Sequence, residues 1–479
     1  MFSQTATVAF ALGILVLFVL DRDRKVRTSL ALWIPVVWLW IGGSRTVSQW
    51  LQMAPTTLSA DQILEGSPLD RNIVMGLTAV GVCVLLRRGQ RVATLLRAHG
   101  AILLFFLYCG ASVIWSDYPL VAFKRWIKAC GDLVMVLIVL TDPDPSAAVK
   151  RLLARLGFLL IPPSILIIKY YPELGRGYEN FTWAPVFTGV TLGKNLLGMI
   201  CMICGLGAVW RLLHGVREGA DTRGRGPLIA QSCLLGMALW LFWYARSMTA
   251  LLCFLLATVL IAATRLHAVV RTPSLVHLVV AAVLSLSVSI VFLDFGSSAL
   301  GTFGRDETLT GRTELWRAVL AVPNDVLFGS GFESFWLGER LEYFWSRYWW
   351  RPNEAHNGYL EIFLNLGWTG VALFGLVLVS GYRKVVNALQ RDPAHGSFRL
   401  AFFVAMVVYN LTEAAVRGFQ PLWILFLLTM MDAPRSRKVA SSAAWRYRHA
   451  DRSVGQLAPS ERLLTRRSLT RPPEGIATP

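Results

Sequence analysis

The sequence contains few charged residues for a chain of its length. Asp, Glu, Lys and Arg make up 16% of its 479 residues, whereas a soluble globular domain carries about 25%. Hydrophobic residues make up 55%, and the mean hydropathy is +0.52. This balance excludes an ordinary soluble protein and indicates a membrane protein.

Several motifs of soluble enzymes and metal sites are also missing. The sequence contains no glycine-rich phosphate loop, no paired-cysteine zinc pattern, no Asp-rich metal motif and no serine nucleophile elbow. All seven cysteines lie in or beside apolar runs, and none lies in the polar segment 295–356, so no disulfide framework is predicted there. The sequence therefore predicts neither a metal ion nor another cofactor.

Apolar runs near the length of a membrane-crossing helix recur along the chain. A spanning segment must satisfy its backbone hydrogen bonds internally, and continuous rather than alternating apolar runs exclude a β-barrel. We therefore predict an all-α polytopic transmembrane bundle of about 12–13 spans. The predicted span centres are Ile14, Val36, Ala79, Phe106, Val134, Pro162, Met199, Leu235, Leu256, Leu284, Phe374, Val404 and Leu425.

Lys and Arg are concentrated in alternate connections between the apolar runs. The basic connections are residues 21–27, 87–91, 150–155, 211–225, 265–271 and 382–384. The positive-inside rule places them in the cytoplasm, so the segment 295–356 becomes one large periplasmic loop of a membrane domain 1–432. Residues 433–479 form a basic cytoplasmic tail that is predicted to be disordered and to contact anionic lipid. This topology accounts for the net charge of +18, so no nucleic-acid partner is predicted.

The polar segment carries His356 together with Glu333 and Glu354. Of the seven histidines, His356 alone faces the outer side of the predicted topology. Histidine titrates near neutral pH, so His356 could accept a proton from an acceptor hydroxyl as a general base. A helix-capping or interfacial histidine is the alternative, and the neighbouring Asn357 could cap the next span or orient a substrate.

Arginines form a second group of candidates. Arg305 and Arg312 lie seven residues apart in the polar segment, and each follows a glycine. The glycine before Arg312 is Gly311. Arg246 lies at the outer mouth of a predicted span. A guanidinium can bind phosphate oxygens through two parallel hydrogen bonds, so three converging arginines would suit a pyrophosphate. Solvated loop charges are the alternative interpretation.

Two predicted spans contain charged residues of their own. Lys124, Arg125, Lys128 and Asp132 lie in the fifth span, and Lys194 lies in the seventh. A charge inside a span is costly and suggests a function, although an ion pair between Lys128 and Asp132 would be a purely structural explanation. We expect Lys194 to reach toward the lipid headgroups.

The motifs resemble those of the O-antigen ligase and Wzy-type polymerase superfamily. The matching residues are Gly311-Arg312, Trp316, Pro323, Phe328-Gly329-Ser330-Gly331, His356-Asn357-Gly358-Tyr359-Leu360-Glu361 and Leu366-Gly367-Trp368-Thr369-Gly370. Gly193-Lys194-Asn195 and Trp115-Ser116 resemble the exopolysaccharide-polymerase (ExoQ-like) branch. The resemblance extends from about the fourth predicted span to the last.

The resemblance implies a GT-C-like, metal-independent inverting glycosyltransferase of the hexosyltransferase type, in the bacterial inner membrane with its active site facing the periplasm. The donor and the acceptor would be polyprenyl-pyrophosphate-linked glycans, and a chain-length regulator and a flippase would be its partners. His356 would activate the acceptor hydroxyl, while Arg312 and Arg305, assisted by Arg246, would hold the donor pyrophosphate. The supporting residues would be Asn357, Glu361, Lys194 and Gly311.

The sequence therefore favours an enzyme that polymerises exopolysaccharide repeat units. A ligase that transfers O-antigen polysaccharide to lipid A-core uses the same donor chemistry and is the nearest alternative. A transporter or flippase of lipid-linked sugars is the alternative from another class. It would be expected to show internal repeats with broken helices at matched positions, and the sequence shows no clear repeat.

Overall fold

The computed structural model describes residues 2–22, 28–53, 59, 66–178, 185–215, 225–266, 269–270, 272–292 and 308–431. Its helices of ten or more residues are α1 (Phe2–Leu20), α2 (Trp33–Gly42), α3 (Pro68–Leu86), α4 (Gly89–Ala98), α5 (Gly100–Ala111), α6 (Pro119–Leu140), α7 (Pro145–Tyr170), α8 (Lys194–Gly215), α9 (Gly226–Ala245), α10 (Met248–Ala263), α11 (Pro273–Phe292), α12 (Thr308–Ala321), α13 (Gly338–Arg347), α14 (Gly358–Arg391), α15 (Pro393–Tyr409) and α16 (Pro421–Met430). The shorter elements are the one-turn helices Val47–Trp50 and Pro172–Gly175, the 3₁₀ turns Leu30–Leu32 and Ser112–Trp115, and the antiparallel strands β1 (Arg176–Tyr178) and β2 (Pro185–Phe187).

Every predicted span centre lies inside one of these helices, and the all-α polytopic fold class is confirmed. Six described helices, α1, α3, α7, α8, α9 and α14, are long and apolar enough to cross a membrane. A seventh span results if α4 and α5, which meet at a bend of 90°, are counted together. Further apolar helices, among them α2, α10 and α16, are shorter. The predicted total of about 12–13 spans stays a prediction.

Proline and side-chain caps define where several helices begin. Asp144 precedes α7, and its carboxylate accepts a hydrogen bond of 3.0 Å from the backbone N–H of Ala147. Pro145 follows as the first helical residue, where the missing N–H of proline is no loss. Asp392 and Pro393 begin α15 in the same way. These starts separate neighbouring apolar runs into distinct helices.

The described part of the polar segment packs against the bundle. It contains α12 and α13, which pack with the chain before α14 around a second apolar core, separate from that of the bundle. The buried members of this core are Leu315, Val319, Phe335, Trp336, Leu341, Phe344, Ala355 and Leu364. The large loop expected from the sequence is therefore, where described, a small helical cap.

A kink in α14 frees backbone N–H groups that hydrogen-bond to the cap. Gly367 has φ +61° and ψ −167°, which breaks the helical hydrogen-bond ladder. The N–H groups after it bond to the cap instead: Trp368 donates to the carbonyl of Val326 at 2.9 Å, and Thr369 to that of Leu327 at 3.1 Å. A side chain at Gly367 would meet the backbone of Leu327 at 2.3 Å, so only glycine fits.

Candidate active site

His356 lies at the junction between the cap and α14. Asn357 is the N-cap of α14, and its Oδ1 accepts hydrogen bonds from the backbone N–H groups of Tyr359 at 3.0 Å and Leu360 at 3.1 Å. His356, one residue earlier, has φ +51°. A non-glycine residue in this left-handed region costs about 1–3 kcal/mol and persists only where its surroundings hold it.

Two carboxylates flank the His356 ring. Its Nδ1 lies 3.1 Å from Oε1 of Glu354 and 3.4 Å from Oε2 of Glu413. The side chains are 18% and 9% exposed, against 25% for His356. Within the described residues, both carboxylate contacts of the ring are made by Nδ1 and neither by Nε2.

Each carboxylate is also paired with an arginine. Arg417 Nη1 lies 2.7 Å from Oε2 of Glu354. Arg312 Nη2 lies 3.2 Å from Oε1 of Glu413, and its Nη1 donates to the carbonyl of Thr412 at 2.6 Å. The charges therefore alternate across the site, with His356 at the centre of the row.

These neighbours determine the protonation of the site. Burial alone would lower the pKa of His356, but hydrogen bonds to Glu354 and Glu413 and their negative charges hold it well above its ordinary range. Burial also opposes ionisation of Glu354, but the hydrogen bond with His356 and the charges of His356 and Arg417 hold the pKa of this carboxyl well below its ordinary range. At neutral pH without substrate, His356 is therefore held as an imidazolium next to the ionised carboxylate of Glu354.

A glycine brings the two halves of the site together. Gly358 N–H donates to the carbonyls of Asn410 at 2.9 Å and Glu413 at 3.1 Å. A Cβ atom at Gly358 would lie 1.9 Å from Oδ1 of Asn410, so a larger residue would push the 410–413 turn away. The glycine that follows His-Asn thus allows Glu413 to reach His356.

Glu361 supports the segment that carries His356. Its Oε1 accepts hydrogen bonds from the backbone N–H of Ala355 at 2.5 Å and from Nε1 of Trp336 at 2.8 Å. On the other side, Nε1 of Trp316 donates to the carbonyl of Ala355 at 2.7 Å. Both polar groups of Ala355 are therefore fixed, which restricts how far the His356 backbone can move.

The other predicted site residues lie in several different elements of the structure. Lys194 begins α8, and its neighbour Asn195 donates from Nδ2 to Oε1 of Glu413 at 2.9 Å. Arg246 is exposed at the end of α9 with φ +46°. Gly311 lies inside α12, directly before Arg312, whereas Arg305 lies outside the described residues.

The start of α10 connects Arg246 to the site. Thr249, three residues after Arg246, has its Oγ1 2.8 Å from Oγ1 of Thr412, the residue before Glu413. Arg246 therefore precedes, by three positions, a residue that bonds to Thr412, and no contact within the described residues joins it to His356.

Sequence reasoning missed Glu413 and Arg417. Both lie in the connection 410–420 between the last two apolar runs, where they are the only charged residues. Two charged residues in an otherwise uncharged connection could have been selected from the sequence. In the predicted topology this short connection lies on the same side of the membrane as His356, so its charges are available to pair with it.

The site also has a geometry that could hold a metal ion. One ligand atom from each of Glu354, His356 and Glu413 lies within 4.8 Å of the others. Both carboxylates, however, are already neutralised by Arg417 and Arg312. With His356 protonated, the positive groups of the cluster already outnumber its carboxylates, so a divalent cation would add repulsion and the donor set does not favour one over the arginines.

Comparisons with known proteins agree with the sequence motifs. Residues 220–375, which include Arg312 and His356, match the family model described as O-Antigen ligase. The chain is 26% identical over 358 residues to the "Exopolysaccharide production protein ExoQ" of Rhizobium meliloti (strain 1021), covering 70% of this chain and 78% of that protein. The chain is therefore similar to O-antigen ligases over residues 220–375 and to an ExoQ protein over most of its length, as the motifs predict, and its apolar helices make it a polytopic membrane protein.

Proposed function

We propose that this protein is a glycosyltransferase that polymerises polyprenyl-pyrophosphate-linked oligosaccharide repeat units into exopolysaccharide. The similarity to an exopolysaccharide production protein supports the product class, and the O-antigen ligase family supports glycosyl transfer in a membrane. The observation that carries the proposal is His356, held through Nδ1 by two carboxylates and next to the Arg312–Glu413 pair.

In the proposed reaction, the acceptor hydroxyl oxygen attacks the anomeric carbon of the donor sugar. The new glycosidic bond forms as the bond to the carrier pyrophosphate breaks on the opposite face, which inverts the configuration. The hydroxyl proton passes to Nε2 of His356, and the pyrophosphate leaves with the electron pair. Since a lipid pyrophosphate is a stable leaving anion, cationic stabilisation is sufficient and no general acid is needed.

The two carboxylates would make His356 a strong base. They stabilise the imidazolium that forms on proton transfer and fix the Nδ1–H tautomer, so Nε2 is the accepting atom. The same stabilisation keeps the ring protonated in the absence of substrate, so only the neutral fraction is active. The reaction should therefore become faster as the pH rises toward the pKa of His356.

Arg312 would hold the donor pyrophosphate, with Arg305 and Arg246 assisting. Arg312 presents both Nη groups toward the 412–413 turn, and its side chain is 16% exposed. A pyrophosphate would compete with Glu413 for the same guanidinium face. Arg312 would then stabilise the charge of the leaving pyrophosphate on one face of the donor sugar, while His356 takes the proton of the acceptor hydroxyl on the other.

The proposed setting is the periplasmic face of the bacterial inner membrane. The basic connections predict that the cap faces away from the cytoplasm. Lipid-linked donor and acceptor would enter from the bilayer, and a flippase and a chain-length regulator would act before and during polymerisation. A bundle of many helices suits substrates whose carriers lie in the membrane.

Reconstitution of the purified protein tests this proposal. Full-length protein in nanodiscs is supplied with a polyprenyl-pyrophosphate-linked repeat unit alone, and the products are separated by gel electrophoresis. A ladder of polymer is expected. A product that forms only when lipid A-core is added would identify a ligase instead, and movement of intact substrate across a vesicle membrane without any transfer would identify a transporter.

A further inference from the structure

Helix α6 places two cations beside the candidate active site. Nη1 of Arg125 donates to the backbone carbonyl of Glu333 in the cap. One turn deeper, Nζ of Lys128 lies 6.0 Å from the centre of the Phe419 ring. Both side chains are half-buried and share one face of α6. Neither belongs to the group of residues around His356.

Among the residues that the structure describes, no carboxylate contacts either cation directly. Asp132 accepts hydrogen bonds from Nε1 of Trp38 at 2.8 Å and from the N–H of Phe419 at 2.9 Å. The structure therefore contradicts an ion pair between Lys128 and Asp132: the carboxylate is held by α2 and by the 410–420 connection instead. Within the described residues, Lys128 has neither an ion pair nor a hydrogen bond.

Glu333 is also occupied. Its Oε1 accepts the backbone N–H of Gly418 at 2.8 Å, so its contact with Arg125 is made through the main chain. A lysine in a membrane helix normally pairs with another group or lines a pathway for a charged ligand. Arg125 and Lys128 are half-buried, lie one turn apart and contact no carboxylate of the described part of the chain, which suits an anion with several oxygens, such as a phosphate.

Arg417 links this position to the active site. Arg417 pairs with Glu354, which contacts His356, while Phe419 lies two residues further on and packs near Lys128. The charged groups that act on Lys128 are the carboxylate of Glu333, the guanidinium groups of Arg125 and Arg417, and the carboxylate of Asp132. Arg417 thus pairs with a carboxylate of the His356 site and also lies close enough to act on both α6 cations.

We infer that Arg125 and Lys128 form a second phosphate-binding site, which takes the pyrophosphate of the lipid-linked acceptor. The inference rests on the proposed polymerase function. The donor sugar is attached directly to its pyrophosphate at the membrane surface, so the far end of the acceptor must bend back to that depth. Its own carrier is anchored in the same leaflet, and a polymerase therefore needs two pyrophosphate positions at similar depth.

A binding experiment measures how many pyrophosphate groups the protein binds. Full-length protein in neutral-lipid nanodiscs is titrated calorimetrically with a prenyl pyrophosphate as the probe. Wild type is expected to bind two equivalents, and the double variant Arg125→Gln, Lys128→Met only one. The matched control Lys124→Gln, which removes an exposed cation from the same helix, is expected to keep two. Size-exclusion profiles check that each variant remains folded.

Kinetics test the assignment to the acceptor. With the donor at a fixed concentration, the double variant is expected to raise the acceptor KM by about 10- to 100-fold, the usual effect of losing charged hydrogen bonds, with kcat nearly unchanged. Two equivalents in the double variant, or an unchanged acceptor KM, would overturn the inference. Loss of the second equivalent in nanodiscs rich in anionic phospholipid would also overturn it, because the site would then take ordinary lipid headgroups.

The experiments distinguish a failure of the second phosphate-binding site from a failure of the polymerase proposal. If wild type polymerises but binds one equivalent, the second site is wrong and the polymerase proposal stands. If wild type binds two equivalents but forms no polymer, the polymerase proposal is wrong and a phosphate site on α6 is still supported.

Discussion

The variant Glu354→Gln separates the electrostatic role of this residue from its shape. Glutamine keeps the size of the side chain and its ability to hydrogen-bond, but it removes the charge that lies 3.1 Å from Nδ1 of His356. Loss of an opposite charge at such a distance lowers the pKa of the partner by about 1–3 units, and each unit corresponds to about 1.4 kcal/mol. Glu413 remains in place, so His356 keeps one carboxylate.

The expected kinetic result is a shift of the pH profile. If neutral His356 is the base, kcat/KM of the wild type rises with pH until it reaches the raised pKa of this ring. In Glu354→Gln the rise should occur about 1–3 pH units lower. The maximal rate should fall at the same time, because a less basic imidazole accepts the proton less readily.

The assay is the initial rate of polymer formation between about pH 5.5 and about pH 10, with reconstituted protein. Asp392→Asn is a matched control, because Asp392 lies 2.8 Å from His395 in a carboxylate–histidine pair remote in sequence from the cap. This control should leave the profile in place. A profile that does not move in Glu354→Gln would refute the assignment of His356 as the titrating base.

Thermal stability provides an independent measurement on the same variant. The folded-state pKa of His356 lies above its ordinary value of 6.5, so its stabilising contribution is complete below that pH and is lost as the pH rises through the folded pKa. Glu354 has the opposite dependence: its contribution is complete above 4.5 and is lost as the pH falls through its depressed pKa. The wild type should therefore lose stability on the alkaline side, and Glu354→Gln should lose much less.

Three further predictions concern the base, the arginine and the topology. His356→Ala should reduce polymer formation by about 10²- to 10⁴-fold at a normal protein level, and near-wild-type activity would show that His356 only shapes the helix start. Arg312→Lys keeps the charge but loses the two-pronged geometry, so its activity should fall close to that of Arg312→Ala while turnover continues in excess EDTA; full activity of the lysine variant, or metal-dependent turnover, would remove the arginine mechanism. Alkaline phosphatase should be active when fused after Gly331 and inactive after Ala440, and the reverse would place the cap in the cytoplasm.

The helices could be predicted from the sequence because they follow from local composition. A run of apolar residues about 20 long must satisfy its own backbone, so each predicted centre lies in a helix. The kink at Gly367 was not predicted, because it depends on the approach of Leu327 from the cap, 40 residues earlier. Local patterns specify a helix, but they do not specify which distant backbone group will interrupt it.

The site was predictable only in part for the same reason. His356 and Arg312 could be selected because they are unusual residues in a polar segment between apolar runs. Their partner Glu413 is separated from them by 57 and 101 residues, and the contact exists only because Gly358 lets the 410–413 turn approach. No residue pattern near His356 encodes that approach, so the ion-pair row and its effect on the His356 pKa required the structure.

Strained residues show how the cap and the bundle depend on each other. Besides His356, the non-glycine residues Glu333 and Phe419 also have positive φ angles, +47° and +72°. Glu333 is held by the N–H of Gly418, and the N–H of Phe419 is held by Asp132 in α6. Each such conformation costs about 1–3 kcal/mol, which the surrounding contacts must outweigh.

These contacts connect three separate parts of the chain around one histidine. The cap contributes Glu333 and Glu354, and the 410–420 connection contributes Glu413 and Arg417. Helix α6 holds that connection through the hydrogen bond from the N–H of Phe419 to Asp132. Folding therefore places the His356 ring and its carboxylates before any substrate arrives, so substrate binding does not have to supply the free energy for their orientation. It follows that substitutions which loosen the 410–420 connection, although distant in sequence from His356, should lower kcat more than they raise KM.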